Sequence, residues 1–124
     1  MIVSFNEVIL ILVLLFVKHF VVDFILQTNQ MVSEKGNYGE KWGIIHSLQH
    51  GIATGAVFFF FVEPASVLFF GILDMLIHYH IDWAKININQ RNYLTPMDKA
   101  FWVWLGADQL AHSLTYIWFV WILI

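Results

Sequence analysis

Long apolar stretches, interrupted by two polar connections, set the pattern of this chain. Four segments, at about 5–28, 42–62, 65–84 and 100–124, each approach the roughly 20 residues that an α-helix needs to cross a hydrocarbon core. The first opens with Ser4-Phe5-Asn6-Glu7, a capping-box spacing, and continues from Val8 to Val17 without a charge. It is too long, and lacks the basic start and small-residue cleavage site, to read as a removable signal peptide. Glu63-Pro64 separates the second and third segments, a tight hairpin with proline in the first helical turn. The fourth follows Thr95-Pro96-Met97-Asp98, read as an N-cap at Thr95, a proline at the first helical position and an acid in the first turn. The pattern predicts an all-α, four-helix transmembrane bundle that forms one domain over residues 1–124.

Composition narrows the classes. At 60% hydrophobic and 12% charged, the chain is too apolar for a soluble domain, which carries roughly a quarter charged residues. Six Lys and Arg scattered along the sequence cannot build a phosphate-tracking surface, so nucleic acid is excluded as a partner. Cysteine is absent, so any metal must be held by nitrogen and oxygen. The connections 29–41 and 85–99 carry Lys35, Lys41, Lys85, Arg91 and Lys99, and in a four-span chain they share one side. By the positive-inside rule that side is cytoplasmic, with both termini outside. Trp42, Trp83, Trp102 and Trp104 fall near that boundary, and Trp118 and Trp121 near the other. Gly51 and Gly55 form a GxxxG pair that suits close packing inside the bundle or in a homo-oligomer or larger membrane complex. The run Phe58 to Phe61 needs cover from lipid or a partner helix.

The polar residues inside these segments are not scattered. His19 and Asp23, His46 and His50, His78 and Asp82, and Asp108 and His112 give every predicted helix one i,i+4 pair on a single face. Random placement of six His and five Asp would give about one i,i+4 pair containing a histidine, whereas the chain has five, counting Asp74 with His78. Alternating helix direction brings the four pairs to one half of the bundle. A single aspartate near the membrane centre costs on the order of 3 kcal/mol on insertion scales. Only Lys18 lies inside a segment, so the basic residues look too few to neutralise the acids, and divalent cations are the expected compensation. His19, Asp23, His46, His50, His78, Asp82, Asp108 and His112 are therefore the expected ligands, sufficient for two or more divalent ions, zinc first and iron or manganese as alternatives. Asp74, one turn from His78, is expected as a ninth ligand, an acceptor orienting an imidazole, or the catalytic proton acceptor. Gln27 and Gln109 flank the ligands, and His80 points off the site face. Lys18 is expected to snorkel or pack between helices, and Lys85 to attract an anionic head group.

The motifs His19-Phe-Val-Val-Asp23-Phe-Ile-Leu-Gln27, His46 with His50, His78-Tyr-His80-Ile-Asp82-Trp-Ala-Lys85 and Asp108-Gln-Leu-Ala-His112 together resemble the domain-of-unknown-function family 3307. The resemblance covers nearly the whole chain and implies a small bacterial or phage protein of the inner (cytoplasmic) membrane, without an activity. More remotely, the pattern is similar to membrane proteins described as metal-dependent hydrolases and grouped with zinc phospholipase C and P1-type nucleases. The N-terminal tryptophan ligand of those enzymes has no counterpart here.

Three functions are weighed against one another. The first is a metal-dependent hydrolase acting on a lipid or phosphate-bearing amphiphile, since no Ser-His-Asp spacing, phosphate-cradling loop or Cys-His pair supplies a nucleophile. The second is a membrane di-iron oxidase, against which stands the absence of any His-x-x-His-His box. The third is a non-enzymatic accessory subunit or metal carrier.

Overall fold

A computed structural model describes residues 3–124, and it is all-helical. α1 (Phe5–Phe20) starts at the expected capping box, with the Glu7 amide donating to Ser4 Oγ and the Ser4 amide donating to Glu7 Oε2. It runs without a break into a π-turn, Val21–Leu26, and stops at Gln27, whose backbone is extended. Such wide turns inside helices recur at functional sites, and this one carries Asp23. α2 (Asn29–Glu34) is a short helix capped by Thr28 within the connection expected to be irregular. α3 (Lys41–Phe58), α4 (Pro64–Arg91) and α5 (Lys99–Leu123) complete the chain.

Three expected boundaries move. α3 ends at Phe58, so residues 59–63 form the hairpin; Phe58 is core, whereas Phe59 and Phe60 are exposed in the turn. α4 continues through Arg91, two turns past the expected end, because nothing in Lys85–Arg91 breaks a helix and Ile86 packs on Gly36, where a Cβ would overlap its Cγ2. Asn87 fastens the same contact by donating to the Gly36 carbonyl at 2.8 Å. The N-cap of α5 is Asp98 rather than Thr95. Thr95 instead closes a preceding turn, its amide and hydroxyl both donating to Asp98 Oδ2.

The four long helices close a ring: α1 lies against α3 and α5, α3 against α4, and α4 against α5, while α2 packs on α3. The α3–α4 seam is the tightest. A Cβ at Gly51 would stand 2.6 Å from the Gly71 carbonyl oxygen, and one at Gly71 would stand 3.0 Å from that of Gly51. The small residues therefore serve packing inside this chain.

The ring is polar inside and apolar outside. Among the described residues twelve hydrophobic ones are buried against fourteen polar or charged ones, while 33 large hydrophobic residues are exposed. The apolar core, with Ile11, Leu15, Phe58, Phe70, Tyr116 and Phe119, fills one end of the ring. The polar residues fill the other. Among the described residues two helices are long and apolar enough to cross a membrane, Phe5–Leu26 at mean hydropathy 2.6 and Pro64–Arg91 at 1.4. α3 and α5 match them in position in the ring but are diluted by His46, Gln49 and His50, and by Asp108, Gln109 and His112.

Candidate metal centre

All eight expected ligands meet inside the ring, none more than 8% exposed. They form three overlapping groups in which one donor atom from each residue lies within 4.8 Å of the others: Asp23, His46, His50 and His78; His19, His78 and His112; and Asp82, Asp108 and His112. His78 belongs to the first two groups and His112 to the last two. Their rings stack 4.1 Å apart, and His50 stacks on the other face of the row at 3.4 Å from His78.

The first group has the geometry that coordination needs. Asp23 Oδ1 lies 3.1 Å from His46 Nε2, 2.8 Å from His50 Nε2 and 3.6 Å from His78 Nε2. In a tetrahedral site with bonds of about 2.0–2.1 Å, adjacent ligand atoms stand about 3.3–3.4 Å apart. The three distances bracket that edge. Asp82 extends the cluster, with Oδ2 3.3 Å from His46 Nε2 and 3.4 Å from His78 Nε2, and Oδ1 3.6 Å from His112 Nε2. Its two oxygens thus face two different groups, as a bridging carboxylate does.

Of these approaches only that of His50 Nε2 to Asp23 Oδ1 is a hydrogen bond. Both ring nitrogens of His46 and of His78, together with Asp82 Oδ1, Asp108 Oδ1 and His112 Nε2, are buried without a hydrogen-bond partner. Buried polar groups are paired in the great majority of cases, and each orphan costs about 1–3 kcal/mol. The Nε2 atoms of His46, His78 and His112 and the free oxygen of Asp82 lie within 3.1–3.6 Å of neighbouring cluster donors, an arrangement that fits a site built for cations. Around them the outer contacts are made. His19 Nδ1 meets Tyr116 Oη at 3.0 Å and its Nε2 meets Gln109 Oε1 at 3.2 Å. With both ring nitrogens engaged, His19 has no donor left for a metal in this arrangement.

The structure corrects the expectation that lysines are too few. Lys18 Nζ donates to Asp74 Oδ2 at 2.6 Å, Lys35 Nζ donates to Asp82 Oδ2 at 3.0 Å, and Lys85 Nζ stands 3.7 Å from Asp108 Oδ2. Lys18 lies between helices, as one of the two expectations for it had it, yet Lys35 reaches in from the connection and carries Gln27 with it at 2.8 Å. Four aspartates and three lysines leave the interior one negative charge with neutral histidines. Asp23 is the one of the four without a lysine beside it.

Asp74 stands apart from the three groups. Its Oδ2 accepts from Lys18 and from Thr54 Oγ1 at 2.6 Å, and it meets the cluster through Lys18, whose Nζ is 3.3 Å from His50 Nδ1. His80 points away, its Nε2 3.0 Å from Tyr38 Oη, as expected. Lys35, Thr54 and Tyr116 are the residues that sequence reasoning passed over. Thr54 sits one turn past His50 and Tyr116 one turn past His112, so continuing the same faces would have found those two; nothing local marks Lys35.

A profile of the family described as "Protein of unknown function (DUF3307)" matches residues 11–124. Comparison with curated proteins and with solved structures gives no match, so the likeness to zinc phospholipase C and P1-type nucleases gains nothing from either.

Proposed function

The chain belongs to the DUF3307 family, and from that premise, which carries kinship without an activity, we propose a four-span membrane protein that binds divalent metal inside its ring and uses it for hydrolysis. The membrane reading is supported by the inverted distribution of residues. A soluble monomer exposes large apolar patches of a few hundred Å² at most, whereas here every long helix presents an apolar outer face. With Lys41, Arg91 and Lys99 at one end of the ring, the positive-inside rule favours that end in the cytoplasm and the hairpin at 59–63 outside.

One observation carries the metal: three imidazole Nε2 atoms surround Asp23 Oδ1 at distances of 2.8–3.6 Å, which fit tetrahedral edges. Three nitrogens and one oxygen suit zinc, and the Asp82, Asp108 and His112 group offers a second, oxygen-richer place for zinc, iron or manganese. A divalent cation supplies two things when bound, a lowered pKa for a water molecule and polarisation of a phosphoryl or acyl oxygen. The protein holds the ligands, excludes bulk water with apolar walls, and keeps His50 Nε2 on Asp23 while Lys18 faces His50 Nδ1. Lys18 donates to Nδ1, so Nε2 carries the proton that a metal bound at that nitrogen would displace. Asp74, tied to Lys18, would serve as the proton acceptor.

The test is elemental analysis of protein purified in neutral detergent without chelators. One to two equivalents of divalent metal are expected, with loss in His50→Ala and partial loss in His112→Ala. Metal-free wild-type protein overturns the reading. A second reading, a metal carrier or structural metal subunit, is favoured by the near-complete burial of the donors. Release of phosphate from a lipid phosphomonoester by the loaded protein decides for the hydrolase, and metal flux into sealed vesicles decides for the carrier.

A further inference from the structure

The cleft between α4 and α5 differs from the other grooves on the ring, because its floor belongs to the candidate metal centre. It encloses about 190 Å³ and is floored by Asp108, with Lys85 at its side. Three small residues, Ala84, Ala107 and Ala111, leave the seam between the helices open, and Ile88 and Trp104 form apolar walls. A groove of about 250 Å³ over Gly51, Gly55 and Gly71 is larger, but it touches none of the cluster residues.

We propose that this cleft is a lateral binding site for a phosphomonoester amphiphile, whose head group Lys85 receives and whose tail lies along the outer faces of α4 and α5. The proposal rests on the reading of the cluster as a metal centre. Three observations carry it. Lys85 is the one lysine of the three that makes no hydrogen bond among the described residues: Lys18 and Lys35 hold their aspartates at 2.6 and 3.0 Å, whereas Lys85 stands 3.7 Å from Asp108. Asp108 lines the cleft, and its Oδ1 is buried without a hydrogen-bond partner. The charge count gives the sign of the ligand, since an interior at minus one becomes plus one with a single divalent ion and plus three with two. An anion at the mouth then completes the balance.

The walls decide between a lipid and a free anion. Inorganic phosphate gains nothing from Ile88 and Trp104, while the first methylenes of an acyl chain replace contact with the surroundings on both. A volume of about 190 Å³ holds a head group and little more, so the tail must leave through the seam. Lys85 lies just past the expected span 65–84, at the level where lipid head groups sit.

The experiment titrates the full-length, metal-containing protein in neutral detergent with dihexanoyl phosphatidic acid, inorganic phosphate and dihexanoyl phosphatidylcholine, followed by calorimetry. Phosphatidic acid is expected to bind at least about tenfold more tightly than either of the others, as loss of a charge-assisted contact implies. Lys85→Ala weakens it by about tenfold or more, and Lys85→Arg restores it. Ala107→Leu, at an exposed position, plugs the cleft and abolishes binding with helicity and metal content unchanged. Equal binding of phosphatidylcholine, equal binding of phosphate, or full affinity in Ala107→Leu overturns the proposal. If metal is absent but phosphatidic acid still binds with this dependence, the metal centre fails and the cleft stands as a lipid site. If metal is present and both variants bind as wild type does, the cleft fails alone.

Discussion

Lys35→Met isolates the competition between lysine and metal for one carboxylate. Lys35 is 5% exposed and its ammonium sits 3.0 Å from Asp82 Oδ2 and 2.8 Å from Gln27 Oε1. Methionine keeps most of the length and removes the charge. Breaking a buried ion pair from one side costs about 3–5 kcal/mol, because the remaining charge is left without compensation. Asp82 then has only His46, His78 and His112 near it, at 3.3–3.6 Å. If those four residues are metal ligands, a divalent ion replaces the lost counterion, and at a hundred times its dissociation constant it returns about 2.7 kcal/mol. Thermal unfolding in neutral detergent, followed by far-ultraviolet circular dichroism, is run after chelation and again with zinc. The stripped variant melts well below stripped wild type, and saturating zinc narrows that gap by about 1.4 kcal/mol for each tenfold gain in zinc affinity, of which at least one is expected once the competing ammonium is gone. Equal losses with and without zinc would show that Asp82 is no ligand, and the argument from converging donors would fail at that residue.

Two further perturbations test the ring itself. Gly51→Ala sets a methyl group 2.6 Å from a backbone carbonyl that cannot swing aside, so it destabilises by about 1–3 kcal/mol. Gly106→Ala meets nothing within 4 Å and stabilises by up to about 1 kcal/mol through helix propensity, both read as shifts in melting temperature. Were Gly51 a contact between copies instead, its substitution would dissociate an oligomer and leave the monomer's melting point in place. The hairpin cap is the pH-sensitive element. Hydrogen bonds from the Ser66 hydroxyl and amide, and from the Ala65 amide, hold the exposed Glu63 carboxyl below its ordinary value of 4.5. A lowered folded value means that its contribution is present above the unfolded value and is lost as pH falls through the folded one. The gap in melting temperature between wild type and Glu63→Gln therefore closes on acidification; a gap that persists after the carboxyl is protonated refutes the role of its charge.

The ligand faces were legible because helical periodicity is local. An i,i+4 pair shares a face in any straight helix, and alternating direction puts four such pairs at one depth, so His19 with Asp23 and Asp108 with His112 needed no tertiary information. What periodicity cannot show is return of a connection. Lys35 lies twelve residues beyond Asp23 and 47 before Asp82, and it reaches the interior only because α2 folds against α3 and Gly36 admits Ile86. The extra turns of α4 escape the pattern for a related reason: the polar composition of Lys85–Arg91 reads as a loop, although nothing in it stops a helix from continuing.

That return changes what the acids mean. Four aspartates with one lysine would demand metal simply to exist in an apolar interior, and the presence of metal would follow from cost alone. With three lysines inside, Asp74, Asp82 and Asp108 are each answered, and cost no longer requires a cation for them. The demand contracts to Asp23. It sits in the π-turn, without a lysine, with His46, His50 and His78 turned toward one of its oxygens. A cation at this position would answer the residual negative charge and take up Nε2 of both His46 and His78, whereas protonating one histidine would answer the charge and leave the other Nε2 unpaired. The case for metal is thus narrower than composition suggests, and it falls on a single carboxylate.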